Sequence, residues 1–362
     1  MIKNSLTVSD AFNKFLSEYS TPYCLSLGFN GCNILLTSNS EELIDKLKIY
    51  YRDFVNEDIS KFEINVVAIE ADPPEFNVGF IVKEPDPGKT KIKEEFADLP
   101  DGRIVRKRLT GLQFTFGSGK HLAIGPITKN YNQIVNFVNN RYIEWFVNRG
   151  YLLVHAAGIR FKGKGITLSG FSGMGKSTLA LNFMSRGSEF ISNDRILFKK
   201  NGKALKMLGV PKLPRVNPGT ILSNSDLDTV ITEEERILFS DIPKDNLWEL
   251  ENKYDVDIDQ CFGKYKFLLH SDTDLIICLN WNRRKSFPEI NKVDLRDRRD
   301  LLRNLMKSLG LFFEFNNGSI NKNPTEEEYL ECINGTTVVE VKGGVDFDIA
   351  AEACIKFLTS KE

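Results

Sequence analysis

The octapeptide Gly-Phe-Ser-Gly-Met-Gly-Lys-Ser at residues 170–177 constrains the fold of this chain more than any other segment. It matches the pattern GxxxxGK[ST], follows a short apolar run at 165–169 and precedes a helical pattern at 178–184. Backbone N–H groups of a glycine-rich turn can converge on phosphate oxygens because few side chains intervene, and a helix amino terminus adds partial positive charge. The segment therefore predicts a strand, a phosphate-binding loop and a helix, in that order.

Positions within this loop have expected roles in binding a nucleoside triphosphate. Lys176 would supply positive charge to the β- and γ-phosphates, and the Ser177 hydroxyl would bind Mg²⁺. We therefore expect ATP and Mg²⁺ as cofactors, with a plain structural glycine turn as the alternative. The residues expected to contact the nucleotide are Gly170, Phe171, Ser172, Gly173, Met174, Gly175, Lys176, Ser177 and Thr178.

Composition argues against several other classes of protein. With 362 residues, 41% of them hydrophobic, the chain predicts ordinary buried cores in about two domains. A formal net charge of −1 predicts no basic surface for nucleic acid. No apolar run of about 18 residues predicts a membrane span, and residues 1–16 lack the apolar centre of a signal peptide. We expect a cytoplasmic protein without a nucleic-acid or membrane partner, and leave a homo-oligomer open.

The six cysteines are expected to be buried free thiols. They form no CxxC pair and have no histidine at metal-ligand spacing. The sequence therefore predicts neither a zinc site nor a redox-active pair.

The first part of the chain mixes helical and strand patterns. Apolar residues at helical spacing predict helices over 5–18 and 131–149, and an apolar run predicts a strand over 63–71. We therefore predict an α+β amino-terminal domain over 1–147, followed by a second domain over 148–362.

Charged residues cluster between 85 and 108, where Asp101-Gly102 predicts a hairpin turn. A solvated hairpin is one interpretation, and a basic contact for substrate or nucleotide is the other. The basic residues of this segment are Lys89, Lys91, Lys93, Arg103, Arg106, Lys107 and Arg108.

A polar tripeptide, Asn193-Asp194-Arg195, interrupts an apolar strand pattern at 189–198, and its acid lies only 18 positions after Lys176. This spacing indicates a helix that returns directly into a strand beside the loop. We therefore expect Asp194 to lie near the phosphates and the metal.

These residues together resemble the HPr kinase/phosphorylase superfamily. His155 stands 15 residues before Gly170, and the GxSGxGKS loop is followed by a helix, Arg186-Gly187 and Asn193-Asp194, as in that family. More narrowly, the chain resembles the branch called HprK-related kinase B. The segments that carry this resemblance are GFSGMGKSTLALNFMSRG, SNDR, GVPKLPRVNPGT, KYDVDI, VKGGVDFDIAA, EPDPGKTKIKEE and DLPDGRIVRKRLTG.

The resemblance implies an α/β fold, with a P-loop kinase core related to HPr kinase and to phosphoenolpyruvate carboxykinase over 148–362. It implies His155, Lys176 and Asp194 as catalytic residues, with Ser177 and Asp194 as metal ligands. A lone histidine in an apolar strand is otherwise usually a packed residue.

The chain departs from the bifunctional enzymes at two positions. Thr178 stands where they carry a glutamate, and Asn193 replaces the first of two adjacent aspartates, so the general base is left unassigned. Carboxy-terminal segments resembling HPr-recognition elements are not found, so HPr is not the expected acceptor. A different hydroxyl, on a peptide, a protein or a small molecule, fits the sequence better.

Further polar residues are candidates for contacts with the acceptor or with phosphate. Those nearest the motifs are Asn193, Arg195, Lys212 and Arg215, the last two in a proline-containing loop that could equally be a surface loop. The run Arg283-Arg284-Lys285 after a predicted strand is a similar candidate, with a solvated strand end as the alternative. Asp346 and Asp348 precede the last helix and are expected to cap it.

The sequence therefore predicts an ATP-dependent kinase. Two alternatives are kept: a nucleotide-gated regulatory or binding module, and an ATPase that drives assembly of partners.

Overall fold

The computed structural model describes residues 6–85, 90–247, 250, 252–282, 286–314 and 323–359. The chain divides into two compact units, one comprising Met1–Asn148 with Leu309–Lys322 and the other Arg149–Ser308 with Asn323–Glu362. The sequence assigns the later segment of the first unit to the second domain. The structure differs there because Phe312 packs against aromatic rings of the first unit.

The first unit is an α+β layer built on one mixed sheet. Its strands lie in the order β1-β2-β3-β8-β7-β6-β5-β4, with β3 parallel to both β2 and β8. The elements are α1 (Val8–Glu18), β1 (Tyr23–Phe29), β2 (Cys32–Ser38), α2 (Glu41–Tyr50), β3 (Ile64–Glu70), β4 (Ile81–Val82), β5 (Glu94–Leu99), β6 (Gly102–Lys107), β7 (Gln113–Gly117), β8 (Lys120–Gly125) and α3 (Tyr131–Val147), with a short 3₁₀ helix at Arg52–Phe54.

Local patterns explain several of these elements. Thr7 caps α1, with Asp10 completing a capping box. The predicted helices over 5–18 and 131–149 and the predicted strand over 63–71 are confirmed as α1, α3 and β3. The hairpin turn predicted at Asp101-Gly102 is confirmed between β5 and β6.

The second unit contains the glycine-rich motif at 170–177. Its elements are β9 (Leu152–Val154), β10 (Ala156–Phe161), β11 (Lys164–Gly170), α4 (Lys176–Met184), β12 (Glu189–Ser192), β13 (Ile196–Asn201), β14 (Ala204–Gly209), β15 (Arg215–Val216), α5 (Pro218–Leu222), α6 (Glu233–Ser240), α7 (Lys244–Leu247), β16 (Tyr254–Asp255), α8 (Ile258–Phe262), β17 (His270–Asp272), β18 (Leu275–Leu279), β19 (Glu289–Lys292), α9 (Arg299–Leu305), α10 (Glu326–Ile333), β20 (Thr337–Lys342) and α11 (Phe347–Thr359), with a 3₁₀ helix at Ser225–Val230.

Two sheets organise this unit. One has the order β12-β10-β11-β18-β20-β19, with β18 parallel to both β11 and β20. The other has the order β17-β14-β13-β9. Because side chains alternate along a strand, Leu275, Ile277 and Leu279 of β18 pack with α4 and α11, whereas Ile276 and Cys278 pack with α9, α10 and the second sheet.

The chain passes between these two sheets at two neighbouring places. β9 belongs to the four-stranded sheet and β10 to the six-stranded sheet, with only His155 between them. β12 and β13 make the reverse passage, with residues 193–195 between them. Since β10 pairs with β12 and β9 pairs with β13, the two passages lie side by side.

The cysteines are only partly as predicted. All six are free thiols, but Cys24 is exposed and Cys261 is half-buried, so the expectation of burial is wrong for these two. Among the helices in the described ranges, none is both long and apolar enough to span a membrane.

Candidate functional site

The glycine-rich loop connects the end of β11 to the start of α4, so its predicted strand–loop–helix setting is present. Gly175 has φ of 80°, and a Cβ there would lie 2.6 Å from the Phe347 ring. Trp281 Nε1 donates a hydrogen bond to the Met174 carbonyl at 2.9 Å and stacks edge-on against Phe347. Aromatic packing from Trp281, which follows β18, and from Phe347 of α11 therefore fixes the loop from one side.

Lys176 is folded onto the loop that precedes it. Its Nζ donates to the carbonyls of Gly170 at 2.8 Å and Phe171 at 3.2 Å. Burial, together with the charges of Lys307 and Lys253, lowers the pKa of Lys176 to about 8, against the opposing effect of Asp194. The ammonium therefore contacts backbone carbonyls of the loop and lies within reach of the charge of Asp194.

His155 and Asp194 meet where the two strand passages lie side by side. His155 Nε2 is 3.4 Å from Asp194 Oδ1, and Arg195 Nε is 3.7 Å from Asp194 Oδ2. The backbone N–H of His155 donates to the Leu305 carbonyl at 2.8 Å, which fixes the histidine against the end of α9. Sheet pairing therefore brings together two residues that lie 39 positions apart in the sequence.

The carboxyl group of Asp194 is held in its charged form. Partial burial would raise its pKa, but the hydrogen bond from His155 and the charges of Arg195 and Lys307 lower it well below the ordinary value. The side chain remains 56% exposed, so it is accessible to a ligand.

Hydrogen bonds of Ser192 fix the turn that carries Asp194. Its Oγ donates to the Arg195 carbonyl at 2.6 Å and accepts from the Val210 N–H at 3.2 Å. Among the described residues, no donor reaches the buried Oδ1 of Asn193, which leaves an unpartnered oxygen next to Asp194.

Two other predicted residues have structural partners. Thr178 is buried, and its hydroxyl shares a hydrogen bond of 2.8 Å with Thr220 of α5. Arg215 Nε lies 3.1 Å from Asp255 Oδ1, which ties β15 to β16. Lys212 lies near Asp194 and Arg195, whose charges act on its pKa; burial, the largest effect, lowers that pKa.

Sequence reasoning missed Lys307 and Lys253. Lys307 follows α9, and Met306 forms a β-bridge with Val154 directly before His155. Lys253 lies far along the chain from the loop, directly before β16. No motif surrounds Lys307, so only the long-range pairing of Met306 could have indicated its position.

The remaining candidates lie elsewhere. Arg283, Arg284 and Lys285 fall outside the described residues, as does Lys89 of the hairpin. In that hairpin Arg103 pairs with Asp98, Arg106 with Glu95 and Lys107 with Glu94. These ion pairs favour the solvated-hairpin interpretation.

The two acids before the last helix have different partners. Asp346 caps α11, since its Oδ1 accepts from the Ile349 N–H at 2.9 Å. Asp348 instead accepts from Arg186 at 2.8 Å and from Asn182 at 3.0 Å. The capping prediction is confirmed for Asp346 and wrong for Asp348.

The side chains of the site that could contact a metal ion are oxygen donors. Within the described ranges, no group of three or more histidine, cysteine, aspartate or glutamate residues could hold a metal by itself. Asp194, the Ser177 hydroxyl and Asn193 Oδ1 are oxygens of the type that Mg²⁺ prefers.

Comparison with known proteins gives a partial similarity. No family model matches the chain. It is similar to a putative HPr kinase/phosphorylase of Fusobacterium nucleatum subsp. nucleatum, with 37% identity over 84 residues. The match spans 23% of this chain and only 13% of the length of that relative. The predicted resemblance is therefore confirmed in part, as a distant similarity to an HPr kinase/phosphorylase.

Among solved structures, the chain is similar to the Hpr(Ser) kinase/phosphatase from Coxiella burnetii. The two are 13% identical, with a TM-score of 0.32, and the similarity covers 58% of this chain and 97% of the other.

Proposed function

We propose that this chain is an ATP-dependent kinase of the HPr kinase/phosphorylase type, in the branch called HprK-related kinase B. The observation that carries this proposal is the position of Asp194. Its carboxylate lies 3.4 Å from His155 Nε2, and its charge acts on Lys176 in the glycine-rich loop. A P-loop core related to phosphoenolpyruvate carboxykinase and a cytoplasmic location belong to the same proposal.

The oxygen donors fit Mg²⁺, which is commonly held by one or two carboxylates, waters and substrate phosphates. Asp194 and Ser177 would hold the ion, and the unpartnered Asn193 Oδ1 could accept a hydrogen bond from one of its waters. When bound, Mg²⁺ would neutralise charge on the transferred phosphoryl group.

The reaction is transfer of the γ-phosphoryl group to a hydroxyl. The acceptor oxygen bonds to the γ-phosphorus while the bond to the β–γ bridging oxygen breaks, and ADP leaves with that electron pair. Lys176 stabilises the negative charge of the phosphates. The interaction with Asp194 favours the His155 tautomer protonated at Nε2, so Nδ1 carries the lone pair that takes the acceptor proton.

Labelled ATP tests this proposal. The protein is incubated with γ-labelled ATP and a cell extract, and the labelled product is identified. We expect label in an acceptor and ADP release that depends on that acceptor. Lys176→Ala should abolish both, whereas Lys164→Ala, an exposed lysine on β11, should abolish neither. Equal transfer by the Lys176 variant would contradict the assignment, and steady ADP release without an acceptor would indicate an ATPase instead.

One observation favours a second candidate, a nucleotide-gated regulatory module. Asn193 stands where a carboxylate is expected and cannot take a proton. Such a module would bind Mg·ATP without turnover. Asn193→Asp decides between these functions. An increase in phosphoryl transfer indicates a site that lost its base, as in the regulatory module. A decrease indicates that Asn193 belongs to a working kinase site.

A further inference from the structure

The site holds more cations than a bound nucleotide explains. Three separate segments bring positive charges to Lys176 and Asp194: the loop with Lys212 and Arg215, the residue Lys253 before β16, whose charge acts on Lys176, and Lys307 after α9, whose charge acts on both. With Lys176 and Arg195 these are six cations, and the acids whose charges act on them within this cluster are Asp194 and Asp255. A magnesium-bound triphosphate carries only roughly two net negative charges.

Backbone contacts fix these segments in place. The Val210 N–H donates to Ser192 Oγ at 3.2 Å, which joins this loop to the turn of Asp194. Lys212 follows Val210 by two residues. The Lys307 N–H contacts Tyr329 Oη at 3.4 Å, and that hydroxyl donates to the Leu153 carbonyl. Lys307 is therefore anchored beside β9, the strand that leads into His155.

Lys307 forms no ion pair within the part of the chain that the structure describes, although its charge acts on Asp194. Among the described residues, no carboxylate lies within ion-pair distance of its ammonium group, which is half-buried. A partly enclosed cation without a carboxylate partner is costly unless a ligand neutralises it. Arg215, by contrast, already has Asp255 as its partner.

We propose that the acceptor is a small molecule that carries its own oxyanion, a carboxylate or a phosphate, close to the hydroxyl that receives the phosphoryl group. Lys307 and Lys212 bind this oxyanion, while Lys176 binds the phosphates of the nucleotide. This proposal rests on the kinase function proposed above. A compact acceptor fits because these cations cluster around the same carboxylate, so the anion and the hydroxyl must lie only a few bonds apart.

Binding measurements on the nucleotide-loaded protein test this inference. The unreactive analogue Mg·AMP-PNP is first titrated by calorimetry, and inorganic phosphate is then titrated into the saturated protein. We expect phosphate to bind the loaded protein and Lys307→Gln to weaken it about tenfold or more, the effect of losing one charged hydrogen bond. Lys307→Arg should restore binding, and Lys356→Gln, an exposed lysine of α11, should change nothing.

Three results would overturn the proposal: no phosphate binding to the loaded protein, unchanged binding in Lys307→Gln, or phosphate that only competes with the nucleotide. Failure to bind Mg·AMP-PNP at the first step would instead remove the proposed kinase function.

Titration of glycerate and of glycerol 3-phosphate into the loaded protein shows whether the site prefers a carboxylate or a phosphate. Glycerol is the neutral control. If a capped neutral serine peptide stimulates ADP release from ATP and the anionic compounds do not, the acceptor is a protein and the proposal is wrong.

Discussion

The affinity for the nucleotide should depend on pH, because the pKa of Lys176, about 8 in the free protein, lies close to physiological pH. Bound phosphates favour the charged form and raise this pKa. Above about pH 8 the free lysine is neutral, so binding must take up a proton and affinity should fall by up to about tenfold per pH unit. Calorimetry in two buffers of different ionisation enthalpy measures this uptake. Lys176→Arg should remove it, and uptake that persists in that variant would assign the proton to another group.

Asp194 and His155 should differ in how much they contribute to phosphoryl transfer. Asp194→Asn should be the more damaging, because loss of the proposed metal ligand would remove several kcal/mol of transition-state stabilisation. His155→Ala should cost roughly 10²- to 10⁴-fold if it is the general base. Initial rates at saturating Mg·ATP measure both, with Asp272→Asn, an exposed carboxylate of β17, as control. Wild-type rates in both variants would place the catalytic centre elsewhere.

Single residues also show what the sequence could and could not predict about the site. The glycine-rich loop is contiguous, so its pattern alone predicts a position for each backbone and side-chain group. Asp194 follows closely enough for a short helix-to-strand return to be inferred. Lys307 reaches the site through pairing of Met306 with Val154, 152 positions away, and no local pattern contains such a contact.

At the scale of elements, the turn from β11 into α4 leaves no room for a side chain at Gly175. Gly175→Ala would place a Cβ 2.6 Å from the Phe347 ring, in addition to the cost of a left-handed backbone. Gly163→Ala is the matched control, because its φ is 79° and nothing lies within 4 Å of the added carbon. The control should lose about 1–2 kcal/mol of stability. Gly175→Ala should lose more and should also lose Mg·ATP affinity, measured by urea unfolding and calorimetry. Equal effects of the two would mean that Phe347 does not constrain the loop.

Element types were more predictable than their partners. Periodicity predicts α1, α3 and β3 because each has one face against a core. The apolar pattern at 189–198 predicts a strand that a polar tripeptide interrupts, whereas the structure has two strands there, β12 and β13. The pattern contains no signal that the two belong to different sheets, because that depends on pairing with β10 and β9. The site lies at this passage, so its geometry required the structure.

At the scale of the whole molecule, Phe312 tests which unit the segment after Ser308 belongs to. Its ring lies 5.4 Å from that of Phe114 and 5.7 Å from that of Phe116, between ring centroids. Phe312→Ala should therefore destabilise the first unit by roughly 2–3 kcal/mol, because the side chain is half-buried. Hydrogen exchange should show lost protection in β7 and α3 and unchanged protection in β11. Phe287→Ala, at a side chain 77% exposed, is the control and should change neither. If protection falls in β11 and not in β7, the segment stabilises the second unit, as the sequence alone predicts.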